Sequence, residues 1–421
     1  MRAALLLGVD PYVVAACERR EVRPVVVYGA TARDQGFPQP HPDGLFVEDP
    51  TDPGQVLAAL ARAGLTGDDF AAVQATDERY VITAAVLARL FGLPGTAPET
   101  AVRFRDKWLQ KQAVRRAGIP TARTVLIEDL RTGHPGMSGF ERAVIKPVAG
   151  GATKFTAVVD SDAQIDAFAR RAPDIKRTFL LEEFVPGEEW TIDGIVRDGE
   201  PVFLGVGRYG EPCLSAVESG SPLRLEKLDP QSPEHALAEP VVRAALAALE
   251  LRDSVFHMEL FHRDGQVTFG ECAARRGGVV TQLEVARKYG VDLADAALCC
   301  ALGESADPSP KISPDAVGST FLLGRPGILF DCPSAAQLRE LPGVEYAHIE
   351  LPRGHIKLDD GVANTFERIG VVLVTAADSA ALAERCAGAR AWFDERLVVA
   401  PAGTTVSALR DWERGRWPTA H

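Results

Sequence analysis

The chain has no run approaching the roughly 18–20 apolar residues that a spanning helix needs, and its start, MRAALLLGVDPYVV, meets Asp10 too soon for a secretory leader. The expected location is the cytoplasm, with no membrane partner. Cysteine is sparse and unpatterned: seven residues, an odd number, without C-x-x-C spacing, and one adjacent pair, Cys299-Cys300, in an apolar helical stretch. Reduced, buried thiols fit this usage better than a disulfide framework or a zinc site. Net positive charge is missing too. A formal charge of −12 opposes the phosphate neutralisation behind non-specific nucleic-acid binding, so nucleic acid is not an expected partner. The first strand ends in Gly8-Val9-Asp10-Pro11 and lacks the G-x-G-x-x-G that lets a backbone approach a dinucleotide pyrophosphate, which argues against a dinucleotide-dependent oxidoreductase. Repeats and low-complexity tracts are absent as well.

What remains is globular. With 421 residues, 46% hydrophobic and 25% charged, the chain is too long for one ordinary core, and two to four units of ~100–200 residues are expected, with clefts between them. The first hundred residues alternate β-rich runs (AALLLGV, RPVVVYG, FAAVQAT) with helical ones at Tyr12–Arg20, Gln55–Ala63 and Arg79–Phe91. This rhythm predicts βαβ units on a parallel sheet, ending near residue 97 at LPGTAPET. From Phe104 to Ala117 the spacing is helical, with Trp108, Leu109, Ala113 and Ala117 on one face, and Gly118 and Pro120 stop it. Short strands follow, then a polar loop between Glu211 and Pro222, a helix over Pro233–Leu249, and two strands, FHMELFH and VTFGECA, expected to pair as a hairpin. Helices over Thr281–Tyr289 and Leu293–Leu302 lead to SADPSPKISP, a second boundary near 306. The expected organisation is 1–97, 98–305 with a lid around 122–183, and a C-terminal α+β unit over 306–421.

Several strings carry chemistry. Lys107 follows Asp106 at a helix start, and Lys146 interrupts the apolar strand AVIKPV. A strand lysine among apolar neighbours needs an anion or a snorkelling route to water. Shortly after it, the small residues Gly150, Gly151, Ala152 and Thr153 form a strand-to-strand loop whose N–H groups could close on phosphate oxygens, or a plain hairpin loop. In LLEEFVPGEEW, an extended backbone over Glu182, Glu183, Phe184 and Val185 offers the C=O and N–H that read adenine N6 and N1, and Glu189, preferred over Glu188, could accept ribose hydroxyls.

The metal signal is sharper. Glu259 (HMELF) and Glu271 (FGECA) interrupt apolar strands on opposite arms of the hairpin, where a lone carboxylate is costly unless a cation or hydrogen bonds offset its burial. Two such groups suffice for Mg²⁺, which takes one or two protein carboxylates plus phosphate oxygens. They share a face if the loop centres on Gly265 with an odd number of residues; an even Asp-Gly turn puts them on opposite faces. Beyond Glu271 lie Arg275 and Arg276; Arg275 is the stronger candidate to neutralise charge on a transferring phosphoryl group.

In the order RDKWLQKQAVRRAGIPTART, VIKPVAGGATKF, LLEEFVPGEEWTIDG and HMELFHRDGQVTFGECAARRGG, the chain resembles the ATP-grasp superfamily, and within it the carboxylate-amine ligases that include L-amino acid (dipeptide) ligases. The resemblance implies an ATP-grasp fold of mixed α/β and α+β class, an N-terminal Rossmann-like unit, and ATP with Mg²⁺ or Mn²⁺ as cofactors. By position it implies that Lys107 and Lys146 bind phosphates, Gly150–Thr153 belong to a lid loop, Glu182–Val185 hold adenine, Glu189 the ribose, Glu259 and Glu271 the metal, and Arg275 the acyl phosphate. Ala273 and Ala274 stand where the commonest form, E-x-N-P-R, has Asn and Pro; this favours the E-x-A-x-R branch over D-alanine-ligase-like enzymes. Similarity also puts Glu78, Glu218 and Arg276 near substrate, the substrates being a small carboxylate and an amine, with a homodimer as a further expectation. The rivals are a biotin-carboxylase-like or purine-pathway ligase on the same scaffold, and a nucleotide-binding module without catalysis.

Overall fold

The computed structural model describes residues 2–29, 44–151, 153–171, 178–278, 280–306, 308–357, 368–401, 403–405, 407–408 and 410. They fall into two compact units, one of Met1–Gly151, Thr156–Arg208 and Leu228–Ser313, the other of Ala152–Phe155, Tyr209–Lys227 and Pro314–His421.

In the first unit, strands Ala3–Leu7, Arg23–Tyr28, Leu45–Phe46 and Phe70–Ala75 pair in parallel, in the order third, second, first, fourth. The strand AALLL is buried along its whole length, because its odd residues face helices Pro53–Arg62 and Val81–Leu90 while Ala4 and Leu6 face Pro11–Arg19 and Leu293–Leu302. A strand covered on both faces needs a continuous apolar run. Helix Pro11–Arg19 begins where the Asp10 carboxylate accepts from the N–H groups of Tyr12 and Val13, with proline in the first turn. Strand order reverses between the first and fourth strands, and open parallel sheets bind ligands beyond the carboxyl ends at such a reversal. Asp10, Thr76 and Glu78 follow those ends.

The same unit holds two antiparallel sheets. Strands Thr124–Ile127, Phe179–Glu183, Ala143–Pro147 and Ala157–Val159 form one, in that spatial order. The other runs Gln266–Ala273, Ser254–Arg263, Glu188–Arg197, Glu200–Tyr209. On one of its faces Trp190, Ile192, Met258, Leu260 and Phe269 pack against Val242, Leu246 and Leu249 of helix Pro233–Leu249, each fully buried side chain contributing ~1.5–3 kcal/mol before entropy is counted. Alternation along the strands then assigns Glu189, Thr191, Asp193, His257 and Glu259 to the opposite face.

Two expectations are corrected here. The buried face of helix Lys107–Arg116 is Lys107, Gln110, Lys111 and Val114; of the expected apolar face, Ala113 packs partly buried against the core while Leu109 is exposed. Carboxylates from distant strands offset the burial of the two cations. The segment from Glu211 to Pro222 is not all loop, since Cys213–Ser219 is helical and ends at Gly220 in the left-handed conformation.

In the second unit, strands Arg224–Lys227, Ala316–Leu322, Gly370–Ala376 and Val344–Ile349 form an antiparallel sheet. Helix Ser379–Arg396 covers it with Leu382, Cys386, Ala389 and Phe393, spaced by helical turns. The seven cysteines are all free, and no helix among the described residues is long and apolar enough to cross a membrane.

Candidate active site

Glu259 and Glu271 do face each other across the hairpin, by a route other than the expected one. The turn is even: Arg263 pairs with Gln266, and Asp264-Gly265 between them both have positive φ, the backbone of a tight two-residue hairpin. That parity alone would put the carboxylates on opposite faces. Between Leu260↔Phe269 and Glu259↔Glu271 the register shifts by one residue, so Gly270 is an added residue in its strand and the bulge restores the shared face. The two carboxylates are held differently. Burial, with the charges of Glu271 and Glu189 added, raises Glu259 to about 8. For Glu271 burial is outweighed by Lys107 and Lys146, which lower it to about 2.

Three ammonium groups surround the pair. Lys107 Nζ lies 3.3 Å from Glu271, and Lys146 Nζ lies 3.3 Å from Glu182 and 3.7 Å from Glu271. Lys111, one helical turn after Lys107, was not singled out in the sequence; its Nζ is 3.2 Å from Glu182 and 3.3 Å from the carbonyl of Phe269. The i, i+4 spacing of two lysines at a helix start was the available signal. Burial pulls Lys111 down to about 8 against the attraction of Glu182. Lys146 is also depressed by burial, but Glu182, Glu271 and Glu259 together leave it raised. The backbone ties these cations together, since the N–H of Lys107 donates to Val148 O at 3.0 Å.

Along Glu182–Val185 the N–H groups of Glu183 and Phe184 already donate to Arg123 O and Arg142 O, and the Arg142 guanidinium lies 4.4 Å from the centre of the Phe184 ring. The Glu182 side chain joins the lysine cluster, with Oε2 buried and without a hydrogen-bond partner among the described residues. Glu189 is buried and close enough to Glu259 to raise its pKa, whereas Glu188 turns outward to Trp190 Nε1 and His262. Gly150 offers its carbonyl to Arg105 and Lys107. Gly151 follows it in the same connection between strands, Thr153 has positive φ, and Ala152 lies outside the described residues.

Arg275 Nε sits 2.6 Å from the Glu78 carboxylate, and Arg276 pairs with Asp10. Both arginines line a cavity of about 80 Å³ with Asp10, Gln74, Thr76 and Ala84, into whose surroundings Gln74 brings a buried Oε1 that has no hydrogen-bond partner among the described residues. Asp193, fully buried, holds His257 Nδ1 at 2.8 Å, and His257 Nε2 lies 3.9 Å from Glu259; burial lowers this histidine's pKa, but Asp193 outweighs it and the net direction is up. Glu218 belongs to the second unit, on helix Cys213–Ser219.

Residues 143–283, which hold the lysine strand, the Glu182 segment and both glutamates, match the family model of the ATP-grasp domain. The chain carries an ATP-grasp domain. Beyond that domain, it is 22% identical over 339 residues to the L-arginine-specific L-amino acid ligase of Bacillus subtilis, covering 77% of this chain and 80% of that one. The L-amino acid ligase structure from Bacillus licheniformis shares the fold at a TM-score of 0.78 with 18% identity, over 96% of this chain and 99% of that one. Carboxyaminoimidazole ribonucleotide synthase from Aspergillus clavatus, complexed with ATP, aligns at 0.68 with 15% identity, over 94% and 99%. Over nearly its whole length the chain shares the fold of these two structures.

Among the described residues no group of three or more His, Cys, Asp or Glu forms a metal cage. Two facing carboxylates are nonetheless what Mg²⁺ takes from a protein when phosphates supply other ligands. The fitting observation is geometric: Glu259 and Glu271 pair directly across the hairpin, and neighbouring Glu182 keeps a buried Oε2 without a hydrogen-bond partner among the described residues.

Proposed function

We propose that this ATP-dependent ligase joins the carboxylate of one amino acid to the amine of another through an acyl phosphate, releasing ADP and phosphate. The observation that carries the reading is the Glu259–Glu271 pair, flanked by Lys107 and Lys146 within 3.7 Å of Glu271. Lys107 and Lys146 would bind triphosphate oxygens, Val185 would turn its N–H to adenine, since those of Glu183 and Phe184 are engaged, and Glu189 would accept the ribose hydroxyls. Gly150 and Gly151 would cover the phosphates. Glu259 and Glu271 would hold a divalent cation, which neutralises phosphate charge when bound.

A substrate carboxylate oxygen attacks the γ-phosphorus and the bond to ADP breaks; the amine nitrogen then attacks the acyl carbon, and phosphate leaves with its oxygen. Arg275 would stabilise the charge that grows on the acyl phosphate. Glu78 holds Arg275 in place and, with Arg276, is assigned to the substrate region. Most of the catalytic contribution on this reading is positioning and charge neutralisation.

The test is phosphate release from Mg·ATP across pairs of amino acids and amines, with bicarbonate and aminoimidazole acceptors as separate arms, and product masses read for active pairs. Release that requires two amino acids and yields a mass of their sum less water supports the proposal. Release only in the bicarbonate arm replaces it with a carboxylating ligase.

A further inference from the structure

We infer that Gln110 is a positioning residue for the metal-side carboxylate Glu271, acting as a substitute for a missing neighbour strand. The inference rests on the reading of Glu259 and Glu271 as metal carboxylates. Strand Gln266–Ala273 is the outermost of its sheet, with Ser254–Arg263 pairing it on one side. An edge strand with a bulge is the place where register slips most easily, and a one-residue slip would turn Glu271 to the other face.

Two contacts bracket the bulge from the open side. Before it, Phe269 N–H donates to Pro120 O at 2.8 Å, and Thr121 Oγ1 donates to Phe269 O at 3.0 Å. After it, the Gln110 amide meets Cys272 in both directions: Nε2 donates to Cys272 O at 2.8 Å, and Cys272 N–H donates to Oε1 at 2.8 Å. A primary amide reproduces there the paired donor and acceptor of a peptide strand. The second hydrogen of Nε2 goes to Phe104 O, at 2.5 Å, and Gln110 is 2% exposed, so water cannot take over these bonds. Because Gln110 shares a helix face with Lys107 and Lys111, the same clamp sets the distance between those cations and the carboxylates. Glutamine suits the position because it is neutral: a lysine or glutamate would add a charge beside Lys111, Glu182 and Glu271.

The test is calorimetric binding of ADP to the full chain, with and without Mg²⁺, for the wild type, Gln110→Met, Thr121→Val and Val114→Ala. The wild type is expected to bind ADP more tightly with Mg²⁺. Gln110→Met should lose about 10–100-fold of that gain, the usual effect of removing a group that orients a metal ligand, while its affinity for metal-free ADP stays unchanged. In steady-state assays the variant should need a higher Mg²⁺ concentration for half-maximal rate. Thr121→Val, a milder change on the other side of the bulge, should move in the same direction and keeps the test open if Gln110→Met does not fold. Val114→Ala, in the core on the same helix, should lower Tm and leave the Mg²⁺ gain intact. Wild-type Mg²⁺ gain in both Gln110→Met and Thr121→Val overturns the inference, as does an equal loss in Val114→Ala. A wild-type protein that binds ADP no better with Mg²⁺ overturns the metal reading together with it.

Discussion

Gly270 lies directly against the backbone of Glu259: a Cβ added at Gly270 would stand 2.7 Å from Glu259 O. The bulge that brings the two glutamates to one face is thus built on a residue whose side chain must be absent. Gly270→Ala should cost about 1–3 kcal/mol of stability, as overpacking does, and should slow ATP turnover beyond that loss because Glu271 shifts. Deleting Gly270 removes the extra residue and the bulge together, so Glu271 should still stand opposite Glu259 in a regular even register and phosphate release should persist. Circular dichroism and phosphate release, measured on both variants, separate the two effects.

Glu271→Gln should reduce Mg²⁺-dependent phosphate release by at least about 100-fold, because the substitution removes a carboxylate proposed to hold the metal and the partner of Lys107. Stability should change less, as the amide still fills the site. Turnover at wild-type rates in saturating Mg²⁺ would sink the assignment.

Lys111 carries a pH signature. Its folded-state pKa lies near 8 against 10.5 for the free side chain, so between those values the unfolded chain binds more protons than the folded one and stability gains with rising pH. Below about 8 both states are protonated and the contribution is flat. Urea unfolding of wild type and Lys111→Met at about pH 7.5 and pH 9.5, one below and one inside that window, should show the wild type improving relative to the variant at the higher pH. An unchanged difference between the two proteins at both pH values would mean that Glu182 holds Lys111 charged throughout.

Glu78→Gln should free Arg275 from its 2.6 Å partner. The expected result is a raised KM for the amino-acid substrates with the KM for ATP unchanged, read from initial rates with each varied in turn. A change confined to ATP would move Arg275 out of the acyl-transfer role.

Much of the scaffold was legible from local pattern. Helices Pro233–Leu249, Thr281–Tyr289 and Leu293–Leu302 have the bounds that their caps and periodicity predict, and the parallel strands of the first hundred residues show as apolar runs separated by helical ones. Glu259 and Glu271 stood out because charge among Met, Leu and Phe demands compensation. Their meeting was not legible. The turn chemistry of Asp264-Gly265 predicts the wrong face, and only the approach of Gly270 to the Glu259 backbone, with the clamps on Phe269 and Cys272, reverses it.

Helix Lys107–Arg116 marks the same division. Its spacing determined that it is a helix and where it stops, because those follow from capping and propensity within a few residues. Which face turns inward was decided by Glu182 and Glu271, which come from far along the chain: two lysines tolerate burial only where the fold delivers carboxylates to meet them. Residue types and local periods settled the elements and the kind of chemistry. Register, facing and charge compensation depend on long-range contacts and therefore existed only once the tertiary structure had formed.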